Sequence, residues 1–483
     1  MKSADVEAQP ATDVAGAPAP SPPRRLSPLE RILFLFTEVR PGEGVTAVIM
    51  FANVFLILCA YYFVKPLRDG WIAVSNVPGF SSTEVKAYSN FAQSVVLIGA
   101  VALYGRLVTR WPRRELITRT TLFCMSNLLF FWWLRQTEVA GAGVAFYVWV
   151  GMFGLFVVSQ FWAFAADLYG DERGRRLLPM IAIGATAGAV TGSFIAGKIV
   201  DSGVLDSSAL LLSALLPLTA SIVLTAVADS RGPVSGGSTR PRRAAAAGDG
   251  PYVGALSLVR RSPYLLAVAM VTLLTHWVST NGDNLLFRTV QEAIRHELSV
   301  LPGIGDAAVK TIVGEGTTAF YGSFFFWVNL CALGLQAFAA SRLLRYGGFA
   351  LILLLLPVVA LTGYATMAFF PILLVVRVFK TAENSVSYSI NNTAQQVLWL
   401  PTTAEMKYKA KPAVETFFVR LGDGLAALTV LIGVHFYALS TQSLFLFNVA
   451  LVGVWLGIAV LVVRDYERIR AAAVAEVGNE NPP

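Results

Sequence analysis

Two basic clusters decide how the chain is read: Asp171-Glu172-Arg173-Gly174-Arg175-Arg176 and Glu405-Met406-Lys407-Tyr408-Lys409-Ala410-Lys411, each set between long apolar stretches. Sliding the second back by 234 residues places Asp171 under Glu405, Arg173 under Lys407, Arg175 under Lys409 and Gly188 under Gly422. One loop used twice implies a duplicated bundle of membrane helices, which is how many transporters are built.

Composition identifies the solvent. The chain is 55% hydrophobic and 14% charged, with mean hydropathy +0.61, against roughly 25% charged for soluble domains. Apolar runs close to the ~20 residues that cross a bilayer are predicted at 45–64, 87–105, 116–134, 143–166, 177–199, 208–228, 263–287, 319–340, 349–366, 369–390, 412–439 and 443–463. The expected fold is therefore all-α and integral to the membrane, with twelve transmembrane helices in two pseudo-symmetric six-helix bundles. The expected divisions are a disordered tail at 1–40, a first bundle at 41–228, a flexible linker at 229–262 rich in Gly, Ser, Pro and Arg, a second bundle at 263–466 and a tail at 467–483.

Basic residues are held on the cytoplasmic side of a membrane. Segments 24–44, 106–119, 168–177 and 229–262 hold 18 Lys and Arg, whereas 65–87, 135–141 and 198–207 hold 5. Both termini are expected to be cytoplasmic, in a multi-pass protein of the inner membrane. The second half agrees through Arg342, Arg345, Lys407, Lys409, Lys411, Arg464, Arg468 and Arg470, although an outer loop drawn at 288–318 carries three basic residues. The net charge of +8 restates this asymmetry. It is read as attraction to lipid headgroups and not to nucleic acid.

Cys59, Cys124 and Cys331 lie singly inside predicted spans, and His276, His296 and His435 are scattered. No HExxH, CxxC pair, P-loop or GxSxG is present, so hydrolase, metalloenzyme and ATP-driven pump readings lack their residues. No enzyme activity, metal or cofactor is expected. The expected partners are the bilayer and a small solute, and the chain is expected to act as a monomer.

A charge inside a span is costly unless it meets a partner or a wet cavity. Four groups stand out. At the end of the first span, Tyr61, Lys65 and Arg68 share a helix face, with Asp69 one turn from Lys65; the plain alternative is a span ending at Pro66 in an interfacial belt. In the tenth, Arg377, Lys380, Thr381, Asn384, Ser387, Tyr388 and Asn391 fall on one stripe, and Glu383, off it, is placed to pair with Lys380. In the eleventh, Thr416, Arg420 and Asp423 share a side, the last two spaced for an i,i+3 pair. Near the outer end of the seventh lie His276, Ser279, Thr280, Asn281, Asp283 and Asn284. Gly184, Gly188 and Gly192 repeat every four residues and read as a helix contact.

With these residues in view, the chain resembles the ATP:ADP antiporter family of bacterial and plastid nucleotide transporters, related to the major facilitator fold. The resemblance is carried by Tyr62 to Asp69, by Phe161-Trp162-Ala163-Phe164-Ala165-Ala166-Asp167 leading into Arg173-Gly174-Arg175-Arg176-Leu177, and by Glu405 to Lys411 leading into Arg420-Leu421-Gly422-Asp423. It implies secondary transport of nucleotides without a bound cofactor, and places Lys65, Arg68 and Asp69 where that family has a basic, basic, acidic set. Two departures point to a divergent bacterial branch. Val150-Gly151-Met152-Phe153 carries no carboxylate where the exchangers have one, and Asp423 stands where they have a lysine.

The sequence thus leads us to expect a transporter that holds an anionic solute between its bundles. Lys65, Arg68, Arg377 and Lys380 are the expected anion ligands, with Asn281, Asn384 and Tyr388 adding hydrogen bonds. Asp69, Asp283, Glu383, Arg420 and Asp423 are coupling or charge-pair residues. The alternatives are a proton-coupled permease for another small anion or amphiphile, and a non-transporting receptor or scaffold.

Overall fold

In the computed structural model the described residues are 27–34, 37–75, 77–108, 113–137, 139, 141–204, 206–231, 251–300, 305–403 and 406–480. Most of the predicted N-terminal tail and linker, with Glu405 of the second basic cluster, lie outside them. Twelve helical rods follow one another. The first six are Gly44–Ala73, Ser82–Val108, Arg113–Gln136, Ala142–Gly170, Arg176–Asp201 and Ala209–Ser230. The seventh is Pro263–Ser299, and the eighth, Asp306–Gly334, is prolonged through Leu335–Ala339. The ninth is 349–369, and the tenth is Leu373–Val386 with its continuation to Val397. Lys411–Phe436 and Thr441–Glu480 complete the set. Eight continuous stretches qualify as membrane spans by length and composition. The second, third and tenth rods are not among them, and the eighth and ninth form one stretch that turns at Gly348.

Large apolar side chains such as Phe123, Trp133, Leu216, Leu374 and Val454 are exposed around the outside of the bundle. Their natural solvent is hydrocarbon, in which helices satisfy their own backbone groups.

The two halves repeat one another in their contacts. Gly184, Gly188 and Gly192 of the fifth span lie against the carbonyls of Phe51, Phe55 and Cys59 of the first. A Cβ on Gly188 would stand 2.2 Å from the Phe55 oxygen. Gly422 of the eleventh span meets the seventh in the same way, its Cβ position 2.7 Å from the Leu273 oxygen. The first and sixth spans are joined by Asn53, which donates to Thr225 (2.8 Å) and accepts from Ser221 (2.6 Å). Their counterparts, the seventh and twelfth, are joined by Asn281 donating to Asn448 (2.7 Å). Gly170 and Gly348, at two of the turns between rods, have nearly identical backbones (φ 64° and 66°, ψ −167° in both), a region open to glycine and strained for other residues.

The halves meet along two seams, the second span on the eleventh and the fifth on the eighth. The pseudo-two-fold that relates the first six spans to the last six exchanges these seams. Among the described residues, the polar contacts that cross between halves lie at mid-depth or toward the end opposite the termini, here called the far end. At the terminal end, ion pairs join elements of the first half. Arg176 and Arg173 reach Glu43 (3.1 and 3.5 Å). Partial burial opposes ionisation of Glu43, but Arg176, the Arg40 amide and Arg173 together hold its carboxyl below the usual value.

Several predicted boundaries move. The loop drawn at 288–318 is mostly helix, since the seventh span runs to Ser299 and the eighth begins at Asp306. Residues Pro251–Arg261 of the predicted linker form a helix, as do Pro28–Leu33 of the N-terminal tail, and the last span continues through the predicted C-terminal tail to Glu480. These helices are amphipathic or polar, so a search for apolar runs stops short of them.

Candidate functional site

The first span delivers Tyr61, Tyr62, Lys65, Arg68 and Asp69 to the inner surface of the first bundle. Pro66 lies within that helix and does not end it. Asp69 is buried and pairs with Lys86 of the second span (2.9 Å) and with Arg68 (3.5 Å). Lys86 also donates to the Tyr321 hydroxyl of the eighth span (3.2 Å) and lies over Phe287 of the seventh (4.5 Å). One ammonium therefore has its counterion in one half and its remaining neighbours in the other. Arg68 stacks on the ring of Tyr147 (4.6 Å), whose hydroxyl donates to Asn90 (2.8 Å).

Lys65 is different. Its Nζ is surrounded by four aromatic rings, Phe325 at 4.1 Å, Tyr62 at 4.9 Å, Tyr388 at 5.7 Å and Tyr61 at 5.8 Å. Two rings come from each half. Lys65 is 8% exposed, and no carboxylate pairs with it among the described residues. A cation on an aromatic face gains about 0.5–2 kcal/mol, whereas removing an ion from water costs several kcal/mol. The aromatic box leaves a deficit that an incoming anion would offset.

The tenth span does not present one stripe. The helix changes to i→i+5 bonding at Ser387–Asn391, which turns Ser387, Tyr388 and Asn391 away from the positions that a regular helix gives them. Lys380 is fully buried and points toward the seventh and ninth spans, with Glu383 at 3.0 Å and Asp283 at 3.2 Å. The Tyr364 hydroxyl donates to Glu383 (2.8 Å). Lys380 is thus held by two carboxylates, one of them the Glu383 that its i,i+3 spacing suggests and the other Asp283 of the seventh span. Asp283 is 45% exposed and is the open member of this triad. Arg377 reaches the other way, donating to Ser323 of the eighth span (2.6 Å) and lying over Phe320 (5.5 Å), without a carboxylate partner among the described residues. Tyr388 is half-exposed beside Lys65, and Asn384 is buried.

Asn281 also differs from expectation. It is 1% exposed and donates to Asn448, in the seam that mirrors the Asn53 contact, so in this state it joins two helices. Arg420 and Asp423 do pair (3.1 Å). Asp423 further accepts from Ser94 of the second span (3.1 Å) and Thr280 of the seventh (2.8 Å), so this carboxylate ties the two halves together at mid-depth.

Sequence reasoning missed Lys86, Tyr147, Ser323, Tyr364 and Ser94. For Lys86 a signal was present. Ser81-Ser82-Thr83-Glu84 is a capping box, with Ser81 N donating to Glu84 (2.7 Å), and it starts the helix early enough to carry Lys86 inside the span.

No family model matches the chain, and no curated protein matches it by sequence. Solved structures do match. The POT family transporter PepTSo aligns with a TM-score of 0.59 at 11% identity, over 88% of this chain and 98% of its own. The nucleoside transporter NupG aligns at 0.57 and 12%, over 88% and 98%. The human organic anion transporter MFSD10 aligns at 0.53 and 16%, over 87% and 100%. At such identities the likeness speaks for the fold, and the fold is that of the major facilitator transporters: twelve membrane helices in two pseudo-symmetric bundles.

Proposed function

We propose that this protein is a secondary transporter that moves a small anionic solute by alternating access, a nucleotide or a related anion being the substrate class that its sequence resemblance favours. The observation that carries the reading is Lys65, a buried amine boxed by aromatic rings from both halves, with no carboxylate in direct salt-bridge contact among the described residues. Arg377 supplies a second cation without a carboxylate partner among the described residues, and a guanidinium matches carboxylate or phosphate bidentately. An anion that bridges Lys65 and the eighth and tenth spans draws the bundles together, which is how binding energy drives the change of access. The polar contacts that cross the halves at mid-depth and the far end support a state closed at the far end. Asp69, Asp283 and Glu383 hold Lys86 and Lys380 in place while the solute is absent. A receptor or scaffold has no use for a buried basic group without a direct ion pair at such a place.

Liposome counterflow tests this with labelled nucleotides, sugar phosphates and organic anions. Uptake of an anion that requires a preloaded anion establishes exchange. Uptake driven by an imposed pH gradient alone establishes the proton-coupled permease, and absence of flux for every solute contradicts transport.

A further inference from the structure

The two seams between the halves each end, at the far end, in a titratable contact, and nothing in the solute site uses either. On the second-to-eleventh seam, His435 Nδ1 lies 2.9 Å from Glu84 Oε1. Phe80 stacks on the same imidazole (centroids 5.6 Å) and the Ser81 amide and hydroxyl hold the other Glu84 oxygen. On the fifth-to-eighth seam, Glu315 of the eighth span accepts from the Ser207 amide (3.2 Å), which brings its carboxyl to the turn that carries Asp206, in the loop after the fifth. Asp206 accepts from Ser208 (2.5 Å). Two carboxyl groups can hydrogen-bond only while one of them holds a proton. The other charged group facing this pair is Arg135 of the third span, within electrostatic reach of Asp206. Tyr88 faces Glu84 on the other seam, and Phe436 borders His435. Near the second of these contacts the first and eighth spans approach closely: a Cβ on Gly70 would stand 2.6 Å from the Gly314 oxygen.

We propose that this far-end closure is a proton-operated latch, in which a proton shared by Asp206 and Glu315 and a proton on His435 opposite Glu84 hold the two symmetry-related seams shut. Both contacts act in the same sense. Deprotonating the carboxyl pair leaves two anions facing each other across the seam, and deprotonating His435 removes the charge that attracts Glu84. Acid on the far side closes that side, and alkali releases it. The device rests on the two-bundle transporter reading for its purpose, but its test needs no solute and stands if the cargo assignment fails.

Spin labels at Ser202→Cys and Lys310→Cys, in a Cys331→Ser background reconstituted in nanodiscs, report the far-end separation by pulsed dipolar spectroscopy. The ratio of closed to open far ends should rise as pH falls from 8.5 to 5.5, by up to about tenfold per pH unit for each linked proton. Glu315→Gln, whose amide donates to Asp206 at every pH, should remove one proton from that dependence and keep more of the population closed at pH 8.5. Asp206→Asn lies on an exposed loop residue, should remove the same proton, and decides the question if the Glu315 variant misfolds. A wild-type distance distribution identical at both pH values, or a full wild-type response in both variants, overturns the proposal.

Discussion

Replacing Lys380 by Met separates a buried ion triad from a solute ligand. Lys380 is wholly buried, with Glu383 at 3.0 Å, Asp283 at 3.2 Å and Tyr364 at 3.5 Å. Its removal leaves the buried Glu383 without its cation, beside the half-exposed Asp283. Breaking a buried pair by deleting one partner costs about 3–5 kcal/mol, roughly two to four powers of ten in the folded ratio. Neutralising the whole triad is different, because replacing buried ions by neutral groups of similar volume is often without cost. The triple variant Lys380→Met, Glu383→Gln, Asp283→Asn should therefore regain most of the stability that Lys380→Met loses. Unfolding of purified protein in mixed micelles of rising SDS fraction, followed by tryptophan fluorescence, measures both. A Lys380→Met protein as stable as wild type, or a triple variant no better than the single one, would refute the triad.

Gly188→Val and Gly422→Val should each cost about 1–3 kcal/mol by forcing apart equivalent helix pairs, whereas Gly453→Ala, which meets nothing within 4 Å, should be neutral in the same titration. Arg420→Leu and Asp423→Leu singly should lower stability, and the double variant should recover it, because the unpaired charge is the main cost; transport by the double variant at the wild-type rate would show that Asp423 carries no coupling proton. For topology, cysteines at Arg113, Arg242 and Lys409 should resist an impermeant thiol reagent in intact cells while one at the exposed Lys310 reacts, and labelling of position 409 from outside would overturn the assigned orientation.

The bundle was legible because membrane helices announce themselves in apolar runs, and the duplication was legible in the paired basic loops and in the register of Gly188 with Gly422. Those two glycines do occupy equivalent crossings. What was hidden were the ends of helices whose composition turns polar, such as Ser82–Thr83–Glu84 ahead of Lys86, and the change of helix type at Ser387–Asn391. A helical wheel assumes one pitch, so it set Tyr388 in line with Lys380 when the two face different neighbours. The local pairs, Lys380 with Glu383 and Arg420 with Asp423, follow from i,i+3 spacing and were readable. Contacts between distant spans, such as Lys86 to Tyr321 or Asp423 to Ser94, depend on how bundles dock and leave no mark in local sequence.

The central claim is that Lys65 binds the solute's negative charge, and anion counterflow by Lys65→Gln measures it most directly. Glutamine keeps a polar chain among the four rings but carries no charge. The variant should match or exceed wild-type stability in the SDS titration, because a buried unpaired ion has been removed, and it should lose nearly all anion exchange in liposomes. A stable Lys65→Gln protein that exchanges anions at the wild-type rate would contradict the account.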